Sequence, residues 1–237
     1  VYTRGQWGSS LPRGGYAIAG QVGEAYVHHF NSGITAPRTV DEAMARMRGA
    51  QAYHANTQGW GDIGYSWCVD ELGNIYEGRG WFRTGAHTYG YNSKGYGICW
   101  LGDSNVAVPS DAAIAAVAEC VRMGVAAGAL VDGPTVVAHR DRVPDTACCG
   151  DPMYLRLDDI RRLVAVGGVP EDGGEDKDKD MPALLCNIDG SIYGCFADGV
   201  WRMLGGAEYT HWSAKGVDQV AYTKDEWATL RGWGRVA

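Results

Sequence analysis

The chain has 237 residues, enough for one domain of ordinary size and a smaller second one. Its formal net charge of -7 argues against bulk electrostatic binding of nucleic acid or anionic membranes, because phosphate contacts need clustered Lys and Arg. The first ten residues lack the basic and apolar regions of a signal peptide, and no apolar run approaches the roughly 18 residues of a spanning helix. We therefore expect no nucleic-acid partner and no membrane insertion, with a signal already removed or another export route.

The first part of the chain alternates strand and helix patterns. Strands are predicted at 24–30, 64–70, 74–79, 95–102 and 134–140, and helices at 38–54, 110–130 and 153–166. The first helix begins with a capping box, Thr39 followed by Glu42, and has an apolar stripe that ends at Tyr53. Ser110 is the predicted cap of the second helix. This order of elements predicts an α/β fold with a central mixed β-sheet flanked by helices.

An acidic, glycine-rich stretch follows these elements. Six acidic residues and two lysines give residues 170–181 a charge of -4, and the stretch has no apolar pattern. Such a composition is typical of a solvated linker. We therefore predict a first domain at 1–167, a linker at 168–181 and a second domain at 182–237.

The second domain is predicted to be a small α+β fold built on a three-stranded meander. Two Asp-Gly pairs separate its three apolar runs, which indicates two-residue hairpin turns. In that register Cys186 and Cys195 are diagonal neighbours, a marginal geometry for a disulfide. Helices are indicated at 207–216 and 223–232.

Histidines end two of the predicted apolar strands, His28 in EAYVHHF and His139 in PTVVAHR. The carboxyl edge of a buried sheet is where ligand sites in open α/β folds lie. Cys148 follows His139 by nine residues, through a Pro-containing loop that can return to the same edge. Two histidines and a thiolate form a three-ligand zinc set with a fourth position for water, the arrangement of catalytic zinc sites.

Other interpretations of these residues stay open. Each histidine could be an ordinary hydrogen-bonded side chain of a protein interior. A cysteine nucleophile with His139 as its base is a second alternative, although no acid or amide is an obvious orienter for that pair. A P-loop and the H-E-x-x-H helix of many zinc proteases are both absent from the sequence.

Several motifs carry a family resemblance that spans roughly residues 2–165. The run QAYHANTQGWGDIGYSWCVDELGNIYEGRGWFRTGAHTYGYNSKGYGICWLGD closely resembles the central segment of peptidoglycan recognition proteins, and YTRGQWG resembles their R-x-x-W-G opening. VHHF, AHRD and TACCG resemble the zinc-binding segments of zinc-dependent N-acetylmuramoyl-L-alanine amidases, a group with the same fold that includes amidase-type phage lysozymes. The resemblance implies a central mixed sheet, flanking helices and a groove for the sugar and stem peptide of bacterial peptidoglycan.

Matched residue by residue, the resemblance makes His28, His139 and Cys148 the ligands of one zinc ion per chain. The family usually reads Cys-Pro-Gly where this chain has Cys148-Cys149-Gly150, so Cys149 is an alternative ligand. The spacing from both flanking motif residues favours Cys148.

Two further residues match catalytic positions of the family. Tyr65 matches the tyrosine that faces the metal, and Thr146 a position filled by threonine or lysine. Both would stabilise the developing oxyanion or hold the water, although a core aromatic is the alternative for Tyr65. The residues that resemble or suit groove positions are His54, Trp60, Trp81, Arg83 and His87. Surface or capping roles stay open for these two histidines and a core role for the two tryptophans, while Arg83 would meet a stem-peptide carboxylate.

The resemblance implies zinc-dependent hydrolysis of the amide bond between N-acetylmuramic acid and L-alanine at the bacterial cell wall. A phage-type endolysin released from the host cytoplasm would have this activity, as would a secreted enzyme. The alternative is a non-catalytic recognition protein, which would not need the metal ligands. We expect the second domain to bind the cell wall, with a structural role or self-association as the alternative.

Overall fold

The structure is a computed structural model that describes residues 1–30, 33 and 35–166 with their side chains and, further on, the backbone of five strands between 184 and 236. Backbone contacts divide the chain into two units, Val1–Val169 and Pro170–Ala237, and each has its own sheet. The segment predicted as a linker, 168–181, lies outside the described residues.

The first unit contains a five-stranded mixed sheet. Its strands are β1 Val22–His29, β2 Trp67–Val69, β3 Ile75–Glu77, β4 Gly95–Trp100 and β5 Leu130–Ala138. Their order across the sheet is β3-β2-β4-β1-β5. β1 is central and parallel to both β4 and β5, β2 is parallel to β4, and β3 is antiparallel to β2. The predicted central mixed sheet is confirmed.

Helices cover both faces of this sheet. They are α1 Arg4–Trp7, α2 Val40–Ala52, α3 Asp111–Ala126, α4 Asp151–Tyr154 and α5 Leu157–Ala165. The α3 and α5 helices pack on the face to which β1 contributes Ala25 and Val27. The α2 helix packs on the opposite face with Trp7, Cys68 and Cys99. None of the helices in the described part of the chain is long and apolar enough to cross a membrane.

Both predicted helix caps are present. The Thr39 hydroxyl accepts the Glu42 backbone N–H at 3.2 Å, and the Ser110 hydroxyl accepts that of Ala113 at 3.1 Å. The Glu42 carboxylate accepts the N–H of Arg38 at 2.7 Å instead of that of Thr39, so the box closes one residue earlier than predicted. Each cap satisfies a backbone donor that the first helical turn leaves without a partner.

Three predicted helix boundaries are wrong. The α2 helix passes into a π-helical turn, Tyr53–Thr57, so that Tyr53 is 53% exposed instead of buried. The predicted helix at 110–130 ends at Ala126, because a left-handed turn at Gly128 leads directly into β5. The predicted helix at 153–166 is broken into α4 and α5 at Arg156, where the guanidinium binds carboxylates of two helices. The short α1 helix was not predicted.

The second unit contains another five-stranded sheet. Its strands are β6 Leu184–Ile188, β7 Ser191–Cys195, β8 Val200–Met203, β9 Gln219–Tyr222 and β10 Arg235–Val236. β6, β7 and β8 form an antiparallel meander, which confirms that part of the prediction. β9 and β10 were not predicted, and they pair in parallel with β6 and β8. The predicted helices at 207–216 and 223–232 lie outside the described residues.

Only one of the two predicted hairpin registers is found. Ile188 pairs with Ser191, as a two-residue connection requires, and Cys186 is thereby diagonal to Cys195. Cys195 pairs with Trp201, which leaves an odd number of residues between the paired positions. A two-residue turn leaves an even number of residues between paired positions. The strand register predicted for the second hairpin is therefore wrong by one residue.

Candidate metal and substrate site

Parallel strand pairing brings His28 and His139 together. His28 is the second-last residue of β1 and is buried. Val27 of β1 pairs with Ala138, the last residue of β5, and His139 follows directly. The two imidazole rings therefore meet at one edge of the sheet, with their centroids 4.7 Å apart.

The loop after His139 returns Cys148 to the same place. The Arg140 N–H donates to the Cys148 carbonyl oxygen at 2.8 Å, which closes the loop. The Cys148 sulfur lies 3.5 Å from Nδ1 of His28, and one ligand atom from each of His28, His139 and Cys148 lies within 4.8 Å of the others. Bonds of about 2.0–2.3 Å in a tetrahedral zinc site place ligand atoms about 3.5 Å apart. The three side chains therefore fit a zinc ion after small movements.

Burial keeps the histidines of this cluster neutral. Removal from water lowers the pKa of His28 well below its usual 6.5, and the nearby His87 and His139 lower it further. Burial is also the main cause that lowers the pKa of His139, with a contribution from His29. Because a metal ion binds the neutral imidazole, both rings are in the protonation state that coordination requires.

The Cys148 thiol has the opposite requirement. Burial raises its pKa to about 12, although the His29 backbone N–H and the Arg140 charge oppose the shift. A metal ligand must be the thiolate, so a bound cation would have to supply the charge that stabilises it. Cys149 lies outside the three-residue cluster, and its carbonyl oxygen accepts the Ser104 hydroxyl.

Tyr65 and Thr146 both lie beside the cluster. The Tyr65 ring centroid is 5.3 Å from that of His28. Burial raises the pKa of Tyr65 well above 10, and the nearby thiols of Cys99 and Cys148 contribute, so Tyr65 remains a phenol that can donate a hydrogen bond. The Thr146 hydroxyl oxygen accepts the Cys148 N–H at 3.2 Å, which leaves the hydroxyl proton for another acceptor.

His54 and Trp60 form a stacked pair next to Tyr65. Their ring centroids are 4.8 Å apart, and His54 lies 5.7 Å from Tyr65. His54 is buried and its Nδ1 accepts the Gly64 N–H at 3.1 Å, whereas Trp60 is 41% exposed. His54 therefore supports an aromatic surface that Trp60 presents to solvent.

Of the remaining predicted substrate residues, one lies at the metal cluster and the others do not. His87 is brought to the cluster, with its ring centroid 5.1 Å from that of His28. Trp81 is not, because it packs on Trp67 at 5.2 Å in the core on the α3 face, opposite His28. The core role that the sequence left open for Trp81 fits this packing. Arg83 is half-buried and donates to a backbone carbonyl oxygen of the N-terminal segment at 3.1 Å.

Sequence reasoning missed the residues that hold the loop carrying His87. The Thr88 hydroxyl lies between the rings of His87 and His28. The side-chain oxygen of Asn92 accepts the backbone N–H groups of His87 and Thr88 at 2.8 and 2.9 Å. Threonine and asparagine are ordinary loop residues, and only their closeness in sequence to His87 could have indicated this role.

Comparisons with known proteins agree with this arrangement. The family described as N-acetylmuramoyl-L-alanine amidase matches residues 23–151. A human N-acetylmuramoyl-L-alanine amidase is 40% identical over 158 residues, and Drosophila melanogaster peptidoglycan-recognition protein SC2 is 32% identical over 157. A mutant of Drosophila PGRP-LB in complex with tracheal cytotoxin superimposes with a TM-score of 0.62 at 29% identity, covering 66% of this chain and 91% of that one.

The length of the matches differs between the relatives. The match covers 65% of this chain but only 27% of the human amidase, whereas it covers 66% of this chain and 84% of the Drosophila protein. The chain thus spans about a quarter to a third of the length of the mammalian amidases that it matches.

Two cysteine variants test the assignment of the sulfur ligand. We expect Cys148→Ser to lose bound zinc and Cys149→Ser to retain it, because only the Cys148 sulfur lies with the two histidines. Metal content of the purified variants, measured by mass spectrometry after removal of free metal, distinguishes them. Zinc retained by Cys148→Ser and lost from Cys149→Ser would contradict the assignment.

The buried His54 should make stability depend on pH. Burial, its largest cause, lowers the pKa of His54 to about 4, so between pH 6.5 and 4 the unfolded chain binds a proton that the folded chain does not. Stability should therefore fall as the pH is lowered from 7 to 5, by up to about 2 kcal/mol from this residue. Urea unfolding at both pH values should show a smaller loss for His54→Gln than for the wild type. Equal losses would contradict the depressed pKa.

Proposed function

Because the chain belongs to the family of N-acetylmuramoyl-L-alanine amidases and peptidoglycan recognition proteins, we propose that it is a zinc-dependent amidase of bacterial peptidoglycan. The bond cut is the amide between N-acetylmuramic acid and L-alanine. The observation that carries this proposal is the approach of His28, His139 and Cys148 to within 4.8 Å at one edge of the sheet. A protein that only recognised the wall would not need such a set.

In the proposed reaction, one zinc ion activates the water and the substrate carbonyl, and the residues around it hold the ion and donate hydrogen bonds. When bound, a zinc ion with three protein ligands lowers the pKa of a bound water to about 7 and polarises a carbonyl group. Neutral His28 and His139 and the Cys148 thiolate would hold that ion. Tyr65, kept protonated by burial, donates a hydrogen bond to the carbonyl oxygen of the substrate amide as negative charge develops there. Thr146 has a free hydroxyl proton for the same oxygen or for the attacking water.

Peptidoglycan is the substrate class that the comparisons favour. The similar PGRP-LB chain is in complex with tracheal cytotoxin, and the similar Drosophila protein is a peptidoglycan-recognition protein. In this chain Trp60 offers an exposed aromatic face supported by His54, suited to the apolar face of a sugar or to a stem peptide. His87 lies beside the metal ligand His28, with ring centroids 5.1 Å apart. The bacterial cell wall is thus the proposed place of action, and a phage-type origin or secretion stays a prediction.

For residues 182–237 we propose a role in localising the enzyme to the wall, with the chemistry contained in residues 1–167. The acidic composition of residues 168–181 suits a linker that lets two parts act separately. Tethering raises the effective concentration of a catalytic groove near its substrate without a new catalytic contact. A structural or self-associating role is the alternative outcome.

Digestion of purified cell walls tests the catalytic proposal. We expect the zinc-loaded protein to free intact stem peptides from the glycan, detected by mass spectrometry, and a chelator to stop the release. Tyr65→Phe should lower kcat by about 100-fold, since loss of one donor to a developing oxyanion has an effect of that order. Tyr53→Phe is the control, because Tyr53 is half-exposed and its hydroxyl accepts a hydrogen bond from the Gln58 side chain, which is not one of the ligands. Wall binding without peptide release would favour the recognition protein instead.

A truncation tests the proposal for the second domain. A chain that ends at Gly168 should cut small soluble muropeptides at close to the full rate and clear intact walls more slowly. Unfolding, or loss of activity on the soluble substrate, would make residues 182–237 a structural part of the amidase. Clearance of intact walls at the full rate would show that targeting is the wrong function.

A further inference from the structure

Thr88 links two histidines at the metal cluster. It is fully buried, and its hydroxyl oxygen lies 2.9 Å from Nδ1 of His87 and 3.4 Å from Nε2 of His28. The other ring nitrogen of His28, Nδ1, is the one that faces the Cys148 sulfur at 3.5 Å. Thr88 therefore contacts the nitrogen of His28 that would not bind metal.

One arrangement of hydrogen bonds lets Thr88 use its hydroxyl as both acceptor and donor within this group when His28 is a ligand through Nδ1. A neutral imidazole that uses Nδ1 as a ligand carries its proton on Nε2, which then donates to the Thr88 hydroxyl oxygen. The Thr88 hydroxyl still has its own proton, and that proton is donated to Nδ1 of His87. His87 must then be neutral and carry its proton on Nε2.

The surrounding backbone and side chains hold His87 and Thr88 in place. Asn92 accepts the backbone N–H groups of His87 and Thr88, which fixes both residues in one loop conformation. The His87 ring lies against two glycines: a Cβ at Gly85 would lie 2.1 Å from its Cδ2, and a Cβ at Gly97 would lie 2.5 Å from its Cγ. The ring occupies space that any side chain at these positions would fill. Its position is therefore set by the backbone before a metal binds.

We propose that Thr88 is a positioning residue for the metal ligand His28, with His87 as the acceptor that orients the Thr88 hydroxyl. This inference rests on the proposed zinc site and deepens it. The hydroxyl holds the His28 ring with Nδ1 toward the metal and its proton on Nε2. Hydrogen-bond partners that orient a metal-binding histidine in this way typically change metal affinity by about 10–100-fold.

Zinc affinity of three variants tests the proposal. Thr88→Val keeps the shape of the side chain without the hydroxyl and should raise the Kd for zinc, measured by competition with a chromophoric chelator, by about 10–100-fold. Thr88→Ser restores the hydroxyl and should stay within about threefold of the wild type, because the same hydrogen bonds can form. Ser66→Ala is the control, since it removes a buried hydroxyl that has no partner among the described residues. Unchanged affinity in Thr88→Val, or equal losses in Thr88→Val and Thr88→Ser, would overturn the proposal.

The histidine tautomers give a second measurement that needs no variant. In zinc-loaded wild-type protein with ¹⁵N-labelled histidine, long-range ¹⁵N–¹H correlation spectra should show both His28 and His87 protonated at Nε2 only. A proton on Nδ1 of His87 would exclude the hydrogen bond from Thr88 and overturn the proposal. Failure of the wild type itself to bind zinc would instead remove the proposed function together with this inference, so the two failures are distinguishable.

Discussion

Parallel pairing of β1 with its two neighbours is the constraint on which the candidate site depends. Parallel strands end at the same edge of a sheet, so one register places His28 beside His139 although 110 residues separate them in the chain. The register of β1 with its other neighbour, β4, places His28 beside Cys99. A shift of one residue would turn His28 to the other face of the sheet, where α3 and α5 leave no room for a metal site.

The two faces of the sheet carry different kinds of side chain. The α3 face holds most of the buried apolar side chains, including Trp81, and it contributes most of the hydrophobic stabilisation. The opposite face combines a smaller apolar cluster under α2 with His28 and Tyr65. Cys148 packs at the edge of the larger core and reaches His28 from there, so apolar packing surrounds the buried imidazole and thiol and offsets the cost of burying them.

The sequence predicted most of the strands and the central mixed sheet because apolar runs and turn signals are local. It also predicted two strand-end histidines with a returning cysteine, which the structure brings together. Local patterns could not predict the break at Arg156, since one of the two carboxylates that bind its guanidinium, Asp111 of α3, is distant in sequence. Nor could they place Trp81, because an aromatic residue in a family motif suits a groove or a core equally well. Thr88 was missed because its role exists only through the fold.

The adjacent histidines at the end of β1 show how one strand serves both faces. His28 points to the metal ligands, whereas His29 points to the opposite face, where its Nδ1 accepts the Ser104 N–H at 3.1 Å. The Ser104 hydroxyl in turn donates to the carbonyl oxygen of Cys149. The His29 backbone N–H is also directed at the Cys148 sulfur, where it lowers the thiol pKa against the effect of burial. His29 thus holds the loop that delivers the sulfur ligand, so a change of this residue would act on the position of Cys148 although His29 is not itself one of the three ligands.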